Sequence, residues 1–253
     1  MNNSESNPYT PPISLSHRQS LSEQTPTIQE ALARGYDFGV DNVINQAWAM
    51  VKGSKGLIIS SYLLMYAALL LGMMGLAVAL SALDLLDTDK TSNSFLVEQL
   101  FNLLSAALTY PFLAGIYLIG IRRAAEQSVS INLVFSQFNN FWPLFVTGLL
   151  MTMMIAVGFM LLVVPGIYLS IAYLLAIPLV AERGLSPWQA LETSRKAINQ
   201  HWFKVFGLFF TLGLITLVSI IPLGIGLIWT LPLITLSIGV LYRIIFGVQT
   251  TAN

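Results

Sequence analysis

From Leu57 to Phe246 the chain runs through one long apolar stretch after another, and no other feature restricts its fold as strongly. Crossing a ~30 Å hydrocarbon layer takes about 20 helical residues at 1.5 Å each. Six runs reach that length, at about 57–83, 97–121, 143–164, 165–181, 203–222 and 224–246. The stretch 143–181 is too long for one crossing, and Pro165-Gly166 near its middle signals a turn. Pro222 and Gly224 divide 203–246 in the same way. Both turns are very short, so the paired helices form antiparallel hairpins. The fourth run is brief and carries Pro178 near its end, which leaves a re-entrant segment as the alternative there.

Charge is correspondingly scarce. Of 253 residues 55% are hydrophobic and 9% charged, with a mean hydropathy of +0.73. An average soluble domain carries roughly 25% charged residues, so a soluble fold is excluded. The net charge of zero excludes nucleic acid as a partner, because no excess of bases exists to hold phosphates. With no Cys and two His, disulfides, thiolate chemistry and multi-histidine metal sites drop out, and no cofactor is expected.

Residues 1–38 read as a disordered polar leader rich in Ser, Asn, Gln, Thr and Pro. One short helix interrupts it, with Thr25 as cap, Pro26 in the first turn and Arg34-Gly35 closing it. No secretory signal is expected, because the first apolar run begins far from the amino terminus. The membrane domain then spans 39–247, and 248–253 form a short tail.

The bases orient the chain. In a six-span topology Arg18, Arg34, Lys52, Lys55, Arg122, Arg123, Arg183, Arg195, Lys196, Lys204 and Arg243 fall on one side, and only Lys90 on the other. Eleven against one places both termini in the cytoplasm by the positive-inside rule. Trp48, Trp142, Trp188 and Trp202 flank spans on the same side, as an interfacial belt does.

A unit repeats three times. Segments beginning at Asp41, Ser130 and Ser186 each open with a capping residue and continue with helical spacing of apolar residues. The third adds Pro187 at the first turn and Gln189 at capping-box spacing, and Trp188, Leu191, Ile198 and Trp202 share a face with Arg195. Too short and polar to span, these segments suit helices lying in the interface, each ahead of a two-span hairpin. The fold class is therefore all-α integral membrane: six transmembrane helices as three hairpins, each preceded by a short interfacial amphipathic helix.

The run Val164-Pro165-Gly166-Ile167-Tyr168-Leu169, then Ala176-Ile177-Pro178, Glu182, Ala190-Leu191, Ser194-Arg195 and Trp202-Phe203 resembles a bacterial pattern. It is similar to the six-span membrane domain of membrane-anchored glycerophosphoryl diester phosphodiesterases and to the YciC-type family of inner-membrane proteins. The match covers about residues 164–207. Family members with the phosphodiesterase domain often carry an arginine a few residues after Pro-Gly, where this chain has Ala172. The resemblance implies an envelope-associated membrane module and carries no enzyme activity over, since nothing outside the membrane part suffices for a catalytic barrel.

Candidate sites are few. Glu98 lies near the start of the second span as an interfacial carboxylate, and Asn102, Ser105 and Thr109 sit deeper in it, where such groups hydrogen-bond between helices or to their own backbone. Pro111, Pro178 and Pro232 interrupt the second helix of each hairpin, and Gly72, Gly75, Gly115, Gly213 and Gly239, spread over the spans, favour close packing of bent helices. The densest charge gathers Glu182, Arg183, Glu192, Arg195, Lys196, His201 and Lys204. Arg183, Arg195, Lys196 and Lys204 are the candidate contacts for anionic lipid headgroups or a membrane-protein partner, while Glu182 is expected to pair with Arg195 and Glu192 with Lys196. No nucleophile, phosphate loop or paired intramembrane carboxylates appear. The expected role is a non-catalytic structural or accessory module acting on lipids or partner proteins. The alternative is a small transporter or channel with its pathway between the proline-kinked helices.

Overall fold

The computed structural model describes residues 25–83 and 91–249, helical and without a strand among them. Six stretches are long and apolar enough to cross a membrane: Val40–Ala82, Val97–Ala124, Asn132–Leu161, Val163–Arg183, Trp202–Ile220 and Leu227–Phe246. The chain is an all-α, multi-pass membrane protein.

The first helix, α1 (Ile28–Arg34), lies within the leader. Thr27, not Thr25, caps it: the Glu30 N–H donates to Thr27 Oγ1 at 3.3 Å and the Thr27 N–H to Glu30 Oε2 at 2.8 Å. Thr25 instead donates to the Val248 carbonyl at 3.0 Å. Ala31 and Phe38 are buried, so 25–38 is a packed part of the fold rather than disordered leader, and residues 1–24 lie outside the described chain.

Next comes α2 (Val40–Ala82), 43 residues in one piece. The interfacial helix expected from Asp41 does not separate from the first span. Its buried residues explain this: Val43, Ala47, Val51, Ser54, Ile58, Ser61 and Met65 recur every three or four positions. They form one stripe that faces the core only if the helix continues unbroken. At 1.5 Å per residue α2 is about 65 Å long, twice a bilayer core.

The second span, α3 (Thr91–Ala124), contains Pro111. The second repeat unit is reduced to α4 (Asn132–Ser136) and a 3-10 turn, Gln137–Asn140, running directly into α5 (Phe141–Leu161). It docks on α3 at Gly115, where a Cβ would come within 2.6 Å of Val134 Cα.

The corner into α6 (Val163–Ala172) is Leu162 alone, with extended backbone at φ −165° and ψ 157°. Pro165 and Gly166, expected as the turn, lie inside α6. Proline is tolerated in a first turn because its missing N–H has no partner there. Gly166 makes room for the Phe159 ring, so α5 and α6 pack side by side. A turn over Tyr173–Leu175 then separates α6 from α7 (Ala176–Arg183). Pro178 therefore sits in the first turn of α7 and kinks no continuous helix.

The third unit is the discrete helix α8 (Pro187–Asn199), with the Ser186 N–H donating to Gln189 Oε1 at 3.4 Å. Its buried face is Ala190, Leu191, Ser194, Ala197 and Ile198. Trp188, grouped with that face from the sequence, is 61% exposed. The last hairpin is α9 (Trp202–Ile220) and α10 (Leu227–Phe246), joined through Pro222, Leu223 (φ 54°) and Gly224 (φ 78°) as expected.

The core forms where α10 meets α2 and α3. Ile58, Ile116, Ile119, Leu233 and Leu236 fill it. Backbones touch at its centre: a Cβ on Gly120 would stand 2.5 Å from the Thr235 carbonyl oxygen, and one on Gly239 would overlap the Gly120 carbonyl. Small residues permit this approach. Gly75 and Gly213, expected in the same role, face open space.

Candidate functional site

One end of the bundle gathers the ends of α3, α7 and α10 with the leader and tail. Here the expected Glu182–Arg195 pair does not form. Arg183 Nε lies 2.7 Å from Glu182 Oε2, both side chains 7% exposed. Arg183 also donates to the Phe246 carbonyl at 2.6 Å and to the Pro26 carbonyl at 3.2 Å. Glu182 accepts from the Tyr242 hydroxyl at 2.6 Å and from the Gln249 N–H at 2.7 Å. Every partner of this buried pair belongs to α10, the tail or the leader, so the pair ties three chain segments together. Arg183 is thereby withdrawn from the candidate lipid contacts.

Arg195 pairs instead within its own helix. Its Nε and Nη2 donate to Glu192 at 2.9 and 2.8 Å, and Lys196 Nζ lies 3.4 Å from the same carboxylate. One turn of separation makes Glu192 the nearest acid to both bases. The Arg195 hydrogen bonds, with the coulombic attraction of both bases, hold Glu192 below the usual carboxylate range. Lys204 is engaged as well: its ammonium donates to Asp37 Oδ1 at 2.5 Å, and this bond depresses the Asp37 carboxyl, helped by the Phe38 N–H. Of the four bases proposed to meet lipid, Lys196 is the most exposed, at 58%.

The leader is pinned along its length. Arg34 donates to the Ile244 and Ile245 carbonyls, Gln200 to Leu32, and the Tyr36 hydroxyl to Ala197 at 3.1 Å. Burial pushes the Tyr36 phenol above its ordinary value. His201 packs edge-on to Tyr36 at 5.2 Å, and among the described residues no cluster of His, Asp and Glu is fit for a metal ion. Lys55 stands apart from the other bases: its Nζ is 5.8 Å from the Trp229 ring, at the opposite end of α10 from Arg243.

Ser194 does what the sequence alone did not assign. Fully buried on α8, it donates to the Ala172 carbonyl at 2.7 Å and accepts from the Leu175 N–H at 3.1 Å. It thus satisfies the two backbone groups exposed by the break between α6 and α7.

Away from the basic end, Gln99, Asn102, Ser105 and Thr109 of α3 and Thr152 of α5 line a groove of about 630 Å³, and the hydrogen bonds expected of Asn102, Ser105 and Thr109 do not form among the described residues. Tyr110 closes it, bonding Thr152 Oγ1 at 2.7 Å and donating to the Gly148 carbonyl at 3.0 Å. Other span hydroxyls bond back to their own helix, as Ser61, Ser170, Thr211, Thr216 and Ser219 do. Among the described residues Ser105 and Thr109 have no such partner, nor do the Gln99 and Asn102 carboxamides. Asn102 and Thr152 are exposed on the outer surface of the bundle. Along the helix Thr109 is about 20 Å from Arg122, well inside a bilayer. Glu98, one turn before Asn102, is also exposed, and the acidic loop 84–90 beside it lies outside the described residues.

Comparison with family models, with curated proteins and with solved structures gave no match.

Proposed function

We propose that this protein is a non-catalytic structural or accessory module of a bacterial inner membrane, with both termini cytoplasmic, acting through its outer faces on partner proteins and lipids. One observation carries the reading. The bundle interior is closed by backbone contact between α3 and α10, while Gln99, Asn102 and Thr152 open a polar groove on the outer surface between α3 and α5. Polar side chains facing hydrocarbon are costly, and hydrogen bonding to another transmembrane helix relieves that cost. The bias of bases in the sequence supports the orientation.

The runner-up, a small transporter, draws on the same groove, because Thr109 and Tyr110 directly precede Pro111. A photocrosslinker at Asn102 separates the two. Capture of a discrete membrane-protein partner there, and not from Met160, which is 86% exposed, is the expected result. No capture, together with solute flux in proteoliposomes that Asn102→Leu abolishes, overturns the accessory reading. The chain has no Cys, so single-cysteine labelling at Lys196 and Met160 tests the orientation without a modified background.

A further inference from the structure

A second cleft opens at the basic end, where α2 passes the last turns of α3 and α10. Gln46, Met50 and Gly53 of α2, Arg123 of α3, Arg243 of α10 and Glu126 line its volume of about 420 Å³. Arg243 is anchored, donating to the Ala124 carbonyl and to Gln46 Oε1 at 2.7 Å. A guanidinium has five N–H groups, so the anchored side chain keeps donors in hand.

Arg123 is placed differently from the partnered arginines, and Arg122, which also lacks a partner among the described residues, lines a separate cleft with Ser130 and Asn132. Arg183 and Arg195 have carboxylate partners, and Arg34 caps carbonyls of α10. Among the described residues Arg123 has no carboxylate within 4.0 Å and no hydrogen-bond partner, and Glu126 is not within that distance of either guanidinium. The Arg123 guanidinium lies over Gly53, where a Cβ would come within 2.8 Å of Nη2. Glycine here, inside a helix that disfavours it, leaves the space that the guanidinium occupies. Two half-buried guanidinium forks beside one cleft, neither of them in contact with the exposed Glu126 that also lines it, match the geometry of a phosphate oxyanion.

We propose that this cleft binds a phosphate group through Arg123 and Arg243, either the headgroup phosphate of a lipid or free phosphate. The site deepens the lipid side of the proposed role and does not involve the α3–α5 groove, so failure to crosslink a partner at Asn102 leaves it standing.

The test uses the purified full chain in detergent, titrated with phosphatidylglycerol against phosphatidylcholine by native mass spectrometry. A parallel thermal-shift arm uses inorganic phosphate against chloride at matched ionic strength. Arg123→Gln removes the charge. Gly53→Leu keeps every charge and fills the space beside the Arg123 guanidinium, and Gly53→Ala, whose Cβ meets only the far end of that flexible side chain, is the milder version if leucine disturbs folding. Lys196→Gln removes an exposed base outside the cleft. Weakening of about tenfold or more is expected for Arg123→Gln and for the Gly53 variant, and less than about twofold for Lys196→Gln. Retention of phosphatidylglycerol without a phosphate shift identifies the lipid as source; a phosphate shift lost in both cleft variants identifies the free anion. The proposal fails if Lys196→Gln weakens binding as much as Arg123→Gln, if the Gly53 variants bind like wild type, or if wild type binds neither probe.

Discussion

Replacing Ser194 by alanine removes a single hydroxyl from a fully buried position, and the structure sets the expected cost. That hydroxyl joins the Ala172 carbonyl and the Leu175 N–H across the break between α6 and α7. Each buried backbone group left without a partner costs about 1–3 kcal/mol. With relaxation of the turn, Ser194→Ala is expected to destabilise the fold by about 2–4 kcal/mol. Ser61→Ala is the matched control. Its hydroxyl donates to the Leu57 carbonyl, which the helix already satisfies, so the loss is under about 1 kcal/mol. The assay is equilibrium unfolding in mixed micelles, paired with hydrogen exchange at the Leu175 amide. If exchange follows opening of the turn, 2 kcal/mol corresponds to roughly 30-fold faster exchange. A Ser194→Ala protein within about 0.5 kcal/mol of wild type, or no worse than Ser61→Ala, refutes the bridging role.

Other expectations follow from the same contacts. Arg183→Met strands the Glu182 carboxylate at a 7% exposed site and is expected to cost about 3–5 kcal/mol in the same unfolding assay, with part recovered by adding Glu182→Gln. Gly120→Ala drives a Cβ into the Thr235 carbonyl and should cost about 1–3 kcal/mol, whereas Gly213→Ala meets open space and should be neutral or stabilising by up to about 1 kcal/mol. The Asp37 carboxyl is depressed by Lys204, so its contribution to leader docking is complete above the ordinary carboxylate value near ~4 and is lost as pH falls through the lower folded value. Limited proteolysis of the leader should therefore speed up at acid pH, and Asp37→Asn should abolish that step.

Much of the candidate surface was legible in the sequence for a local reason. Asn102, Ser105 and Thr109 share one face because they recur at helical spacing, and the structure brings them together on α3. The Glu192–Lys196 pair followed from one turn of separation in the same way. Glu182–Arg195 failed because it was a guess about two helices, α7 and α8, whose mutual placement no spacing encodes. The acid on α8 itself was closer to Arg195, and α10 and the tail were closer to Glu182. Arg123 and Arg243 were read only as bases obeying an orientation rule, since 120 positions of chain separate the two residues that the cleft brings together. Ser194 stood inside the family-like run without a reason, and its reason is a break in a neighbouring helix.

The sequence by itself determined the solvent. Long apolar runs and 9% charge demand a bilayer and helices, because the transfer free energy of a continuous apolar run is set by its own residues before any tertiary contact forms. It also marked corners, since Leu223 and Gly224 beside Pro222 need only local backbone preferences. Tertiary structure alone decided which polar groups are free. Arg183, Lys204 and Thr25 are consumed by partners distant in sequence, while Arg123 and the α3–α5 groove are left without them. Availability is a property of neighbours, and in this bundle the neighbours are set by helix packing.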